Sequence, residues 1–170
     1  YLQEGKYAEA RDMANAVIES GEFELTTLEE PFRVDNSDEG IFEIEQDEQV
    51  NAGTSNDGLT TFFASLPGDV GRAEVRISPA FVATFEPTDR RRTQMMYAGT
   101  SGGTFSQKWP DYCNNIPVIR LTEMYLTRAE ANLRLGTAVG AAPLEDINVL
   151  RERAGLAALT TLTVDQVLTE

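Results

Sequence analysis

Two apolar stripes of helical period, separated by a short glycine-stopped loop, constrain this chain more than any other feature. In IPVIRLTEMYLTRAEANLRLG, residues 116–136, Val118, Leu121, Tyr125, Ala129 and Leu133 recur at the spacing of one helix face, and Gly136 is the stop. Pro117 opens that segment, so helical order is expected from there. A second stripe follows through Leu144, Ile147, Leu150 and Ala154, with Pro143 suited to a first turn and Glu145 and Asp146 at the positive helix end. Arg151 and Arg153 precede its glycine stop, Gly155. Stripes joined by so short a loop predict an antiparallel helical hairpin, and Ala129 and Ala131 are small enough to admit a further helix. A third helix is predicted from Thr163, where Thr163 and Gln166 form a capping box and Leu162 can staple against Val167. Near the start, Tyr7, Ala10, Ala14, Val17 and Ile18 make another stripe, closed by Gly21.

The helical segments at the two ends show unpaired apolar faces that a longer chain or a partner would cover, and a helix pair that cannot bury its own face is how a helical repeat behaves. Gly5, Tyr7, Ala10 and Ala14 are similar to the G-x-Y-x-x-A portion of a tetratricopeptide repeat. The intervening residues 23–115 break into short pieces. Alternation in GIFEIEQ and EVRIS predicts short strands, FVATF is the length of a helical turn or two, and Gly, Ser, Asn, Thr and Pro punctuate the rest.

Charge excludes several function classes. With 28 acids against 14 bases and no histidine, the 170-residue chain carries a formal charge of −14. A phosphate-neutralising surface is therefore absent, and neutral or cationic partners are favoured over nucleic acid or anionic lipid. The one cysteine, Cys113, cannot pair within the chain, and without histidine the common zinc and Cys/His catalytic sets cannot be built. No segment approaches a membrane span. Tyr1 opens the chain without an initiator methionine, so the expectation is a piece of a longer protein.

Several stretches, taken in order, resemble the C-terminal half of the SusD/RagB family: YAEARDMANAVIESGEFEL, EGIFEIEQ, FEPTDRRR, QKW, PVIRLTEMYLTRAEANLRLG and LEDINVLRERAGL. IRLTEMYLTRAEA and N-x-L-R-x-R-A-G-L, at their mutual separation, are the most distinctive. The resemblance spans nearly the whole chain. It implies a mainly α, tetratricopeptide-like scaffold carrying a long irregular insertion with short strands: residues 1–22 as a repeat helix, 23–115 as the insertion, and 116–170 as the hairpin with the start of a further helix, all one SusD-like C-terminal fragment. It also implies a lipid-anchored protein on the extracellular face of the outer membrane, the anchor lying outside this chain, that binds polysaccharide or oligosaccharide for nutrient uptake and acts as the lid of a TonB-dependent, SusC-like transporter. On that reading Arg120, Glu123, Arg128 and Glu130 pair along the outer face of their helix. A helical-repeat module for protein–protein interaction, with no sugar binding, is the rival.

Sugar binding calls for aromatic faces beside amides and carboxylates on held loops. Phe62 and Phe63, after the polar loop NAGTSNDG, together with Tyr97, Trp109, Tyr112 and the Asn114–Asn115 pair, supply those groups. Trp109 stands in QKW, which in the family resembles a structural strand, so core packing and ligand stacking are both open for it. Asp35, Ser37, Glu39 and Gly40 mimic the opening of a calcium loop, but Gln46 at the twelfth position cannot supply a bidentate carboxylate; a solvated turn before a strand is expected instead. Arg90, Arg91 and Arg92 are expected to pair with surrounding acids. No nucleophile elbow, phosphate loop or metal set is present, the acids lie in solvated runs, and the expectation is a non-catalytic protein without a cofactor.

Overall fold

The computed structural model describes residues 1–51, 58–68 and 70–170. In chain order the described elements are α1 (Tyr7–Ser20), β1 (Gly40–Ile44), α2 (Leu59–Phe63), α3 (Pro79–Val82), α4 (Arg90–Gln94), β2 (Met96–Ala98), β3 (Thr104–Ser106), β4 (Ile116–Arg120), α5 (Leu121–Leu135), α6 (Pro143–Arg153) and α7 (Val164–Thr169). They fall into two compact units. The first comprises Tyr1–Thr26, Asp38–Ile41 and Ile119–Glu170; the second comprises Thr27–Ser37 and Phe42–Val118. β1 pairs with β4.

The first unit is built on α5, which packs against α1, α6 and α7. Small residues make that crowding possible. Ala10 and Ala14 of α1 and Ala129 and Ala131 of α5 are all buried, so the helices approach without a bulky side chain between them. Ala129, Ile147 and Val167 form the core on the other side of α5, with Leu126, Leu133, Leu159 and Leu162 packed against it. Burying a side chain such as Ile147 stabilises by about 1.5–3 kcal/mol. The predicted hairpin and caps are present. Gly136 ends α5 in the left-handed conformation (φ 65°), where a side chain would be strained. Pro143 occupies the first turn of α6, and the Glu145 carboxylate accepts from the Ala142 N–H at 3.1 Å. At α7 the Gln166 N–H donates to Thr163 Oγ1 at 3.3 Å while the Thr163 N–H donates to Gln166 Oε1 at 2.8 Å.

Two side-chain amides, the buried Asn132 and the half-buried Asn148, hold the connections. Asn132 donates to Val139 O at 3.0 Å and accepts from the Val139 N–H and the Thr137 hydroxyl, so it organises the loop between α5 and α6. Asn148 of α6 exchanges two hydrogen bonds with the Leu159 backbone, at 2.7 and 3.1 Å.

Five expectations are corrected. The helix does not begin at Pro117: residues 116–120 are the strand β4, Val118 is exposed, and α5 starts at Leu121. The run of β-branched residues finds a backbone partner in β1, and strand pairing outcompetes a helical turn opened by proline. EVRIS is not a strand beyond one bridge from Ile77 to Thr104, and QKW is a turn after β3. Arg120 and Arg128 do not pair with Glu123 and Glu130 along the outer face of the helix. Arg128 is buried and holds Asp146 of α6 through two bonds, at 2.6 and 2.9 Å, and donates to Asn15 of α1 at 2.7 Å; Glu130 pairs with Arg134. Finally, Glu39 is fully buried, not part of a solvated turn. Its carboxylate pairs with Arg153 at 2.5 Å and Arg120 at 3.3 Å, and the Thr122 hydroxyl donates to it.

The second unit has a smaller core of Leu28, Phe32 and Met95, while Phe105 of β3 is wholly buried. β2 and β3 form an antiparallel hairpin with Tyr97 opposite Phe105. Within α4, Arg91 pairs with the buried Asp89 that caps the helix. No helix among the described residues is long and apolar enough to cross a membrane.

Candidate functional site

The second unit carries a small depression. One wall is the start of α2 (Gly58, Leu59, Thr60), the other is the irregular segment from Lys108 to Ile116, and Gln46 closes one side. That segment has no ladder partner over most of its length, so its polar groups are met by side chains. The Thr60 hydroxyl donates to Asp111 O at 2.6 Å and ties the two walls together. Asp111 Oδ1 accepts the Cys113 N–H at 2.8 Å. Asn115 is the hub: its N–H donates to Asp35 at 2.7 Å, its amide nitrogen donates to Glu43 at 3.0 Å, and its amide oxygen accepts the Gln46 N–H at 2.9 Å. The Gln46 side-chain nitrogen, turned toward the segment, donates to Asn114 O at 3.0 Å and Tyr112 O at 3.2 Å.

The rings are positioned by the core beneath. Trp109 meets Phe32 edge to face, with centroids 6.1 Å apart, and Phe32 belongs to the buried cluster; Lys108 lies 5.3 Å above the same Phe32 ring. Tyr112 is anchored by its hydroxyl, which accepts the Gly71 N–H at 3.1 Å. Only glycine serves at 71, where φ is +80° and an added Cβ would sit 2.3 Å from Ala64 O. Asn114 donates to Arg33 O at 3.0 Å. The Trp109 indole N–H and the Asn114 side-chain oxygen have no partner among the described residues, and Asp111 is exposed.

Of the six side chains singled out from sequence, the depression thus brings together Trp109, Tyr112 and Asn114 and leaves out Phe62, Phe63 and Tyr97. Phe62 and Phe63 are half-buried on α2, Phe62 beneath the Arg72 guanidinium at 5.9 Å. The Tyr97 hydroxyl accepts the Ser65 N–H at 2.7 Å and its ring tilts against Phe105, both packing contacts. Residues 52–57 of the NAGTSNDG loop lie outside the described residues. Thr60 and Asp111 escaped the sequence reading, and Gln46 entered it only as the failed twelfth position of a calcium loop; nothing in their local pattern marks them as lining residues. Partial burial, followed by the charges of Asp111, Glu48 and Asp47, pushes the Cys113 thiol above its ordinary value of 9.0. No group of three or more acidic or cysteine side chains among the described residues is arranged to hold a metal.

A packed helical scaffold together with an irregular segment that displays aromatic rings and amides defines a SusD-like architecture. Residues 111–169 match the family model described as SusD family. The chain superposes on surface glycan-binding protein A from Bacteroides fluxus at 26% identity and TM-score 0.78, covering 98% of this chain and 44% of that one. A SusD superfamily protein from Bacteroides thetaiotaomicron matches at 25% identity and TM-score 0.80, with 99% and 43% covered. Surface glycan-binding protein A from Bacteroides thetaiotaomicron, solved in complex with laminarihexaose, shares the fold at 18% identity and TM-score 0.81, with 98% and 46% covered. The C-terminal third of this chain is thus similar to the SusD family, and the chain spans less than half the length of these solved structures. Comparison with curated proteins found no match.

Proposed function

We propose that this chain binds glycan without cleaving it, through the depression lined by Trp109, Tyr112 and Asn114, as part of nutrient capture at the outer-membrane surface beside a TonB-dependent transporter. The observation that carries the reading is the convergence of an indole, a phenol ring and unspent amide valences in one depression of a chain whose structural neighbours include surface glycan-binding proteins. Rings take the apolar face of a pyranose and the amide and indole N–H meet its hydroxyls. The carboxyl group in the lining, Asp111, is exposed and bonded to backbone, unlike a general acid held in an apolar pocket. The depression is small and open and its lining is partly polar, so each sugar is held weakly, in the manner of capture.

The test is affinity electrophoresis of the purified chain through gels containing a panel of polysaccharides, with Trp109→Ala and Asn114→Ala alongside. Retardation by at least one polysaccharide, lost in Trp109→Ala and weakened in Asn114→Ala while circular dichroism shows both folded, is the expected result. Retention by none, or undiminished retention in both folded variants, overturns it. The interaction-module rival predicts no retention at all.

A further inference from the structure

We propose that the depression selects uncharged glycans and rejects those bearing carboxylate or sulfate groups, an inference that rests on the glycan-binding reading above. Among the described residues, five carboxylates lie in or near it. Asp111 lines the depression and is exposed; Asp35 and Glu43 are both bonded to the lining residue Asn115, at 2.7 and 3.0 Å. Asp47 lies one residue beyond Gln46, and its carbonyl accepts from Asn51, whose amide also reaches Cys113 Sγ at 3.8 Å. Glu48 is close enough for its charge, with those of Asp47 and Asp111, to bear on the Cys113 thiol.

The opposing cations are fewer. Lys108 is in the lining with its ammonium 5.3 Å above the Phe32 ring, and Arg33, whose carbonyl holds Asn114, has its guanidinium engaged by Glu29 at 3.4 Å and by Gln107 at 3.1 Å. An anionic sugar therefore meets a net negative field, in a chain whose overall charge of −14 adds the same sign. A neutral pyranose loses nothing to that field, since stacking and hydroxyl hydrogen bonds carry no net charge. In water a single carboxylate about 6 Å from an anionic group weakens binding roughly threefold, and several acting together give about tenfold before salt screens them.

The experiment measures retention of the full chain by laminarin, galactomannan and dextran, each beside its own carboxymethylated derivative, at low and at high salt. The expected result is that whichever neutral polymer is retained binds about tenfold better than its carboxymethylated form, and that the gap narrows as salt rises. Asp111→Asn, which keeps the Oδ1 acceptor for the Cys113 N–H, is expected to shrink the gap roughly threefold. Glu48→Gln, outside the lining, is expected to narrow the gap and leave the neutral polymer's retention as it was. Equal retention of neutral and carboxymethylated forms, or a gap untouched by Asp111→Asn, overturns charge selection while leaving glycan binding intact. Retention of neither form of any polymer overturns the glycan-binding reading, and charge selection falls with it.

Discussion

Replacing Glu39 by alanine tests how the first unit holds together. Glu39 lies in the short 38–41 stretch, and its partners come from two other parts of that unit: Thr26 on one side, and Arg120, Thr122 and Arg153 on the other. Its side chain is wholly buried, and the side chains of Arg120 and Arg153 are only 18% and 15% exposed. Burial already pulls the Arg120 guanidinium below its ordinary range, against the opposing pull of Glu39 and Glu123, and Arg153 adds to the lowering. Removing the carboxylate takes from two largely desolvated guanidiniums the counter-charge they share, a loss of about 3–5 kcal/mol. Near 2–4 °C per kcal/mol for a chain of this size, the melting temperature should fall by roughly 10 °C. Arg120→Met is the informative contrast, because Glu39 keeps Arg153; its cost should be clearly smaller. Urea unfolding followed by far-ultraviolet circular dichroism supplies both values, with the slopes checking that the unfolded state is comparable. If Glu39 stood on a solvated turn, substitution would change stability by no more than about 0.5 kcal/mol. A cost for Glu39→Ala below about 1 kcal/mol at unchanged slope would refute the buried-cluster account.

Two further outcomes are expected. The rate of Cys113 alkylation by iodoacetamide follows the thiolate fraction, and a thiol held above 9.0 is less ionised at any given pH, so the inflection of the pH–rate profile should lie above pH 9; an inflection at or below 9 would contradict the acidic surroundings assigned to it. Ala129→Leu forces a branched side chain into the fully buried contact of α5 with its neighbours, and should cost about 1–3 kcal/mol in the same urea assay, whereas an unchanged midpoint would mean that the helices are not packed as described.

The legible parts of this fold are those whose causes lie close together in the chain. Gly136, Pro143 and the capping box at Thr163 act within a turn of themselves, and the stripes through Ala129 and Ile147 carry their own period, so α5, α6 and α7 could be placed from sequence. What failed depended on partners far away. IPVIR continues the stripe of the helix that follows it, and only pairing with β1 makes it a strand. Glu39 resembled a solvated acid because its arginines are 81 and 114 residues distant. The same distinction runs through the candidate site. Trp109, Tyr112 and Asn114 fall within six residues of one another and share a wall. Phe62 and Tyr97 have the right chemistry, yet Arg72 and Ser65 engage them elsewhere.

The irregularity of the 108–116 segment also decides which of its polar groups remain for a ligand. A stretch without a full ladder must satisfy its backbone through Asn, Gln, Asp and Thr side chains, the same types that recognise sugar hydroxyls. Abundance of such residues therefore overstates the number available. Asn115 spends its backbone N–H, amide oxygen and amide nitrogen on Asp35, Gln46 and Glu43, so it is frame despite lining the depression. Asn114 spends its amide nitrogen on Arg33 and keeps its oxygen, and Trp109 keeps its indole N–H while Phe32 fixes its ring. One acceptor and one donor in a lining they share with a tyrosine suit a ligand that presents both polarities at every hydroxyl, and they leave little with which to grip a ligand by charge.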